Sequence, residues 1–171
     1  RTKPQKFLFY WPFFASIIVG AFSFIVFFLR VIRDPRTASF TNGVMKANTA
    51  LCLLLCALSL GLLSSKKQTH FKSTASRLCA FLALIIVFLT GLQYVLRIDL
   101  GLDTFFAPDP FGVSNTWPGR MSVNAVSGIM LMALSLLLIK KKSEKGRTWS
   151  TVLSLGAALV SVLGLLGHIY Q

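Results

Sequence analysis

Six polar side chains stand near the ends of otherwise apolar runs: Asn48, Gln93, Tyr94, Arg97, Asn124 and His168. Gln93 and Arg97 are four residues apart with Tyr94 beside them, so one helix brings an amide, a phenol and a guanidinium to one side of one end. Asp99, Asp103 and Arg120 lie just beyond in the chain. Such groups can line a polar pocket that opens between helices, the usual place for a ligand in a bundle. They can equally cap backbone or snorkel to an interface. Neither use is catalysis. The chain has no Ser/His/Asp set, no paired catalytic carboxylates, no phosphate loop and no zinc spacing, and no enzyme activity is expected of it.

Metal and haem chemistry are weighed on the same residues. Cys52 and Cys56 share a helix face, but a metal pair needs further ligands at the same depth, and the sequence supplies none. All three cysteines, with Cys79, read as small reduced packing residues. His70 and His168 fall about a bilayer apart, which excludes bis-histidine haem. A single ligand from His168 is the remaining geometry. No metal and no other cofactor is expected.

What must position the polar groups is a set of membrane-crossing helices. Of 171 residues, 54% are hydrophobic and 13% charged, with a mean hydropathy of +0.70; a soluble domain carries about a quarter charged residues. Phe7 to Leu29, Met45 to Leu63, Leu78 to Leu96, Met121 to Ile139 and Trp149 to Tyr170 are apolar runs near the ~20 residues that cross a bilayer. They leave no room for a soluble catalytic domain. The first is too long for a signal peptide and lacks a small-residue cleavage site. The expected fold is an all-α integral membrane protein, five transmembrane helices in up-down order forming a single bundle over residues 1–171.

A pattern recurs along the chain. Gly43-Val44-Met45-Lys46-Ala47-Asn48 and Ala57-Leu58-Ser59-Leu60 return 76 positions later as Gly119-Arg120-Met121-Ser122-Val123-Asn124 and Ala133-Leu134-Ser135-Leu136. Leu29-Arg30-Val31 echoes Leu96-Arg97-Ile98. Repetition at this scale predicts tandem helical hairpins: repeat 1 over 7–63, repeat 2 over 78–139 and a partial third over 149–171. The odd helix count and the missing initiator Met lead one to expect a fragment or a processed chain. Asn42-Gly43 and Pro118-Gly119 are turn formers ahead of the repeated helices. The loop between Ile98 and Arg120 carries Phe105, Phe106, Phe111 and Trp117, too apolar for a free linker, and is expected to fold back on the membrane surface or the bundle mouth.

The net charge of +13 reads as topology rather than nucleic-acid binding, which needs a folded basic surface with base-reading or stacking groups. Arg1, Lys3, Lys6, Lys66, Lys67, Lys72, Arg77, Lys140, Lys141, Lys142, Lys145 and Arg147 gather in the tail and two short loops. By the positive-inside rule these face the cytoplasm, giving a cytoplasmic N-terminus and a periplasmic C-terminus in a bacterial inner membrane. The same loops are expected to touch anionic lipid heads. Small and polar residues mark the packing faces of membrane helices. Cys52, Cys56 and Ser59 with Asn48 fall within about 80° of arc; Gly128 and Ser135 repeat the stripe with Asn124; Ser154, Ala157, Ser161 and Gly164 continue it with Ser150 in the last helix.

The stretch from Leu100-Gly101-Leu102-Asp103 through Trp117-Pro118-Gly119-Arg120-Met121-Ser122-Val123-Asn124, followed by a Leu-rich helix, resembles the multi-pass N-terminal membrane region of bacterial sensor proteins that carry PAS, histidine-kinase or diguanylate-cyclase domains. That family reads Leu-Gly-Ile-Asp, then Pro-Gly-Arg-Met-Ser-Pro-Asn-Thr-Ala. Pro118 to Ser122 and Asn124 match; Val123 replaces Pro, and His168 stands where the family has Tyr. The resemblance implies a signal-input role without assigning a ligand. Two functions are therefore expected to compete: a sensor input module coupled to a cytoplasmic signalling domain, and a small accessory subunit among other membrane subunits of a respiratory or photosynthetic assembly. A transporter is disfavoured, since it would show broken helices or mid-membrane acids.

Overall fold

A computed structural model describes residues 3–32, 45–65, 67–105, 119–139 and 144–170; the side chains of residues 3–9, Thr104 and His168 fall outside the described set. So do Asn42, Gly43, Phe106, Phe111, Trp117 and Pro118, with the expectations placed on them. The described residues form helices and connecting turns only: α1 (Lys3–Ile32), α2 (Ala47–Leu63), α3 (His70–Leu96), the single turn α4 (Leu102–Phe105), α5 (Val123–Leu138) and α6 (Glu144–Ile169). Three are long and apolar enough to cross a membrane, over Tyr10–Ile32, His70–Leu96 and Glu144–Gly167. The other two, α2 and α5, have 17 and 16 residues. At 1.5 Å per residue they reach about 25 Å, short of the ~30 Å hydrocarbon core.

The short helices are shorter than their apolar runs for a common reason. Lys46 (ψ 150°) and Ser122 (ψ 152°) are both extended N-caps, and they occupy equivalent positions of the repeated pattern. Ser122 Oγ accepts from the Ala125 N–H at 3.2 Å, holding one of the donors that a helix start leaves open. α3 begins eight residues before Leu78 because Thr69 caps it, accepting from the Lys72 N–H at 3.3 Å. At the end of α2, Gln68 Nε2 donates to the carbonyls of Leu62, Leu63 and Ser65 at 2.8–3.0 Å. α1 also starts earlier than its apolar run. Pro12 therefore lies inside the helix rather than in its first turn, and removes one bond from the backbone ladder.

The paired helices run antiparallel, as their contacts show. Ala57 Cβ and Ser16 Oγ lie 3.5 Å and 3.0 Å from where side chains on Gly20 and Gly61 would begin. Along α5 and α6, Leu131 meets Gly156 at 3.4 Å, Val160 and Ser161 meet Gly128 at 3.7 Å and 3.9 Å, and Asn124 meets Gly164 at 3.5 Å. Helices α2, α3 and α5 pack against one another, while α1 lies along α2 and α6 along α5. The three-helix centre buries Cys52, Cys56, Ala80, Ala83, Val87, Met121, Val126, Ile129, Ala133 and Leu136. These are mostly small side chains, so backbones approach closely. The outward faces are apolar: Trp11, Phe14, Phe22, Phe24, Phe81, Phe88, Leu155 and Leu163 are all more than half exposed.

Two serine clamps join the helix pairs. Ser59 and Ser76 Oγ atoms are 3.0 Å apart, and Ser76 Oγ donates to the Ser59 carbonyl at 3.1 Å. Ser135 and Ser150 do the same for α5 and α6, with Oγ atoms 3.0 Å apart and each hydroxyl 2.8–3.0 Å from the other's carbonyl. Ser59 and Ser135 are repeat equivalents. Both clamps sit at the end holding the starts of α1, α3 and α6, hereafter the basic end, with Lys67, Lys72, Arg77, Lys145 and Arg147. Interhelical hydrogen bonds in membrane proteins contribute about 0.6 kcal/mol on average and up to ~1.7. Ser59→Ala and Ser76→Ala should each lower stability within that range, and the double variant should cost less than their sum when unfolding is followed in detergent. Gly61→Ala should cost about 1–3 kcal/mol by overpacking, whereas Gly167→Ala, with open space around it, should be near neutral.

Candidate functional site

The end opposite the clamps, hereafter the far end, is built by the end of α3, the turn at α4, the residues before α5 and the start of α2. Arg97 ends α3 in the left-handed region (φ 54°). The next residues then turn sharply: Asp99 Oδ1 accepts from the Gly101 N–H at 2.9 Å, and Gly101 takes φ 69°. This turn aims Asp103 inward. Gly119, at φ 81°, is the residue type that this conformation favours, and it delivers Arg120 and Met121 into the bundle.

Arg120 is the hub. Its Nε donates to Asp103 Oδ2 at 3.0 Å, its Nη2 donates to the Ile98 carbonyl at 3.0 Å, and its guanidinium lies 5.2 Å from the Tyr94 ring centroid. Both charged side chains are 3% exposed. Tyr94 OH donates to the Met121 carbonyl, and Met121 is fully buried. Asn48 joins from α2, its Nδ2 donating to the Leu102 carbonyl at 2.9 Å. The far end is thus one network that spans α2, α3, α4 and the approach to α5.

The six residues singled out from sequence separate into groups. Asn48, Gln93 and Tyr94 belong to this end of the three-helix centre, with Asn48 and Gln93 essentially inaccessible. Arg97 is exposed at the helix terminus. Asn124 is exposed too, and its amide rests on Gly164 of α6 rather than facing Asn48. The backbone of His168 is helical, and its side chain is outside the described set. Of the packing residues, Cys52, Cys56, Ser59, Ser135 and Ala157 are buried, Gly128 and Gly164 receive side chains across the α5–α6 contact, and Ser154 and Ser161 bond back to their own helix. The buried pair Asp103–Arg120 was absent from the six. Its signal was present: opposite charges flank an apolar loop, and each stands next to a Gly-containing turn.

The network is incompletely satisfied. Asn48 Oδ1, Asp103 Oδ1 and both amide atoms of Gln93 are buried without a hydrogen-bond partner among the described residues. Because the Asn48 amide nitrogen is fixed by a carbonyl, its open atom is an acceptor. Asn48 also borders a cavity of about 190 Å³ with Ile86, Leu89, Leu102 and Phe105. The site can accept hydrogen bonds from a small donor. It offers no nucleophile paired with a base, and among the described residues no three His, Cys, Asp or Glu cluster to hold a metal.

Removing one member of a buried ion pair leaves the other charge stranded, at about 3–5 kcal/mol. Arg120→Leu and Asp103→Leu should each lose that much in unfolding experiments, while the double variant should recover most of it. In comparisons with protein-family models, curated proteins and solved structures, nothing matches this chain, so its function is argued from this site.

Proposed function

We propose that the chain is the signal-input region of a membrane sensor. In this reading five helices cross a bacterial inner membrane as tandem hairpins, with the basic end cytoplasmic and the far end periplasmic. The module is non-catalytic. A stimulus at the far end shifts helix packing and biases a cytoplasmic signalling domain, attached or associated. Support for the crossing comes from the three long apolar helices and the apolar exterior. α2 and α5 fall about 5 Å short of a typical bilayer, a mismatch that local thinning or flanking residues can absorb. The shared resemblance around Gly119-Arg120-Met121-Ser122 points the same way.

The observation that carries the sensor reading is the set of unpartnered polar atoms on Asn48, Gln93 and Asp103. Each buried unsatisfied group costs about 1–3 kcal/mol. Their sum raises this packing toward alternatives in which a ligand or a rearranged neighbour satisfies them. A ligand shifts a population only by its differential affinity for two packings, and unfilled acceptors provide such a difference. The competing reading, an accessory subunit of a larger membrane assembly, draws on the aromatic face of α1, where Trp11, Phe14, Phe22, Phe24 and Phe28 are more than half exposed.

Gln93→Leu separates stability from response. Replacing an unpaired buried amide by an apolar side chain of similar size should raise stability by about 1–3 kcal/mol. It should also fix the output of the associated signalling domain, measured in cells, at one level. A stabilised variant with normal responses would count against sensing. Purification of tagged protein in mild detergent discriminates the readings further: large membrane partners in fixed stoichiometry would favour the accessory role.

A further inference from the structure

At the basic end, α1 and α6 stand apart across the faces of α2 and α5. Between them runs a groove of about 470 Å³ bordered by Val19, Leu53, Leu60, Met132, Leu136 and Ile139, with Arg147 at its basic-end limit. On α2, α5 and α6 the lining spans seven residue steps, from Leu53 to Leu60, Met132 to Ile139 and Arg147 to Ser154. At 1.5 Å per residue the groove is about 10 Å long. That is about two-thirds of the ~15 Å depth of one hydrocarbon leaflet, and it begins at the charged edge.

The groove's hydroxyls ask for nothing. Ser16 Oγ donates to the Phe13 carbonyl at 2.7 Å, Thr151 Oγ1 to the Arg147 carbonyl at 3.1 Å, and Ser154 Oγ to the Thr151 carbonyl at 2.8 Å. Ser135 and Ser150 satisfy each other. An occupant therefore meets a surface that behaves as hydrocarbon, although five hydroxyl-bearing residues line it. Arg147 is the opposite case. It is exposed, and its guanidinium has no partner among the described residues. Among the described residues Glu144 is the single acid at this end, against Lys67, Lys72, Arg77, Lys145 and Arg147.

We propose that this groove seats one acyl chain of an anionic phospholipid, with the headgroup phosphate on Arg147. The proposal rests on the membrane reading above and goes beyond it by naming a bound lipid class and its site. The dimensions favour a single chain over a partner helix. A helix laid here would meet the groove over only about two turns, whereas an extended acyl chain fills it along its length. Among the described residues the neighbouring hollow between α1 and α2 has no free cation, since Lys72 at its edge donates to Ser65 Oγ at 2.7 Å.

The test uses the full chain purified in detergent, titrated with phosphatidylglycerol and phosphatidylcholine of identical acyl chains and read by native mass spectrometry. Phosphatidylglycerol should be retained in preference. Arg147→Gln should reduce its retention about fivefold, the weight of one surface cation toward an anionic headgroup, and leave phosphatidylcholine unchanged. Ser154→Trp, which places an indole in the groove, should reduce both. Lys145→Gln, a cation of the same end that does not border the groove, should change little. An Arg147→Gln variant with unaltered lipid preference overturns the proposal. So does Lys145→Gln acting as strongly as Arg147→Gln, which would mean diffuse attraction to the whole basic end. Loss of a co-purifying membrane protein in Ser154→Trp, with lipid retention intact, would assign the groove to a helix instead. If the wild-type protein is released from membranes by alkaline carbonate and retains neither lipid, the membrane reading itself fails.

Discussion

The buried contact between Arg120 and Asp103 is what gives the far end its form. A guanidinium removed from water costs several kcal/mol unless it is paired and hydrogen-bonded, and here one carboxylate, one carbonyl and one aromatic face answer it. Meeting those partners requires the chain to turn at Gly101 and Gly119, both at positive φ. It requires α3 to stop at Arg97 and α4 to present Asp103. The turn thus placed offers the Leu102 carbonyl to Asn48 of α2. One charge, by needing to be satisfied, ties three separate segments together.

Elsewhere the helices are oily almost all round, so burial of apolar area cannot decide which faces meet. In lipid that force between helices vanishes, and close packing of small residues with a few polar contacts replaces it. The α5–α6 contact shows this register by register, from Ser135 against Ser150 to Asn124 against Gly164. Each glycine there admits a side chain from the other helix. The same economy appears in α2 and α3, where Ser59 and Ser76 meet across a centre built largely from Ala and Cys.

This separation of roles explains what the sequence made legible. Long apolar runs announce helices, because length and composition are local properties. Repetition marked Ser59 and Ser135 as equivalent, and both turned out to be clamp residues. Their partners were harder. Ser76 precedes its apolar run among polar neighbours, and nothing local distinguishes it from a solvated loop serine. Asn124 marks the limit of such reading. It stands at the same helix end as Asn48, but equivalent positions in two hairpins face different neighbours once the second hairpin gains α6 on its flank. Helix boundaries shifted where capping, not hydropathy, decides, as at Thr69 and Ser122.

The two ends of the bundle differ in how well their polar groups are met, and that asymmetry bears on mechanism. At the basic end the clamp hydroxyls are reciprocally bonded and Gln68 covers the last carbonyls of α2. Among the described residues, Ser23, Asn48, Gln93 and Asp103 carry buried side-chain atoms left without a hydrogen bond, none of them at that end. Polar contacts are thus complete at the clamped end and incomplete at the far end. A perturbation at the far end would then meet the part of the bundle whose polar groups are least satisfied. For a sensor this is the useful polarity, because the open polar atoms lie where a stimulus would arrive and the satisfied contacts lie where the helices stay joined.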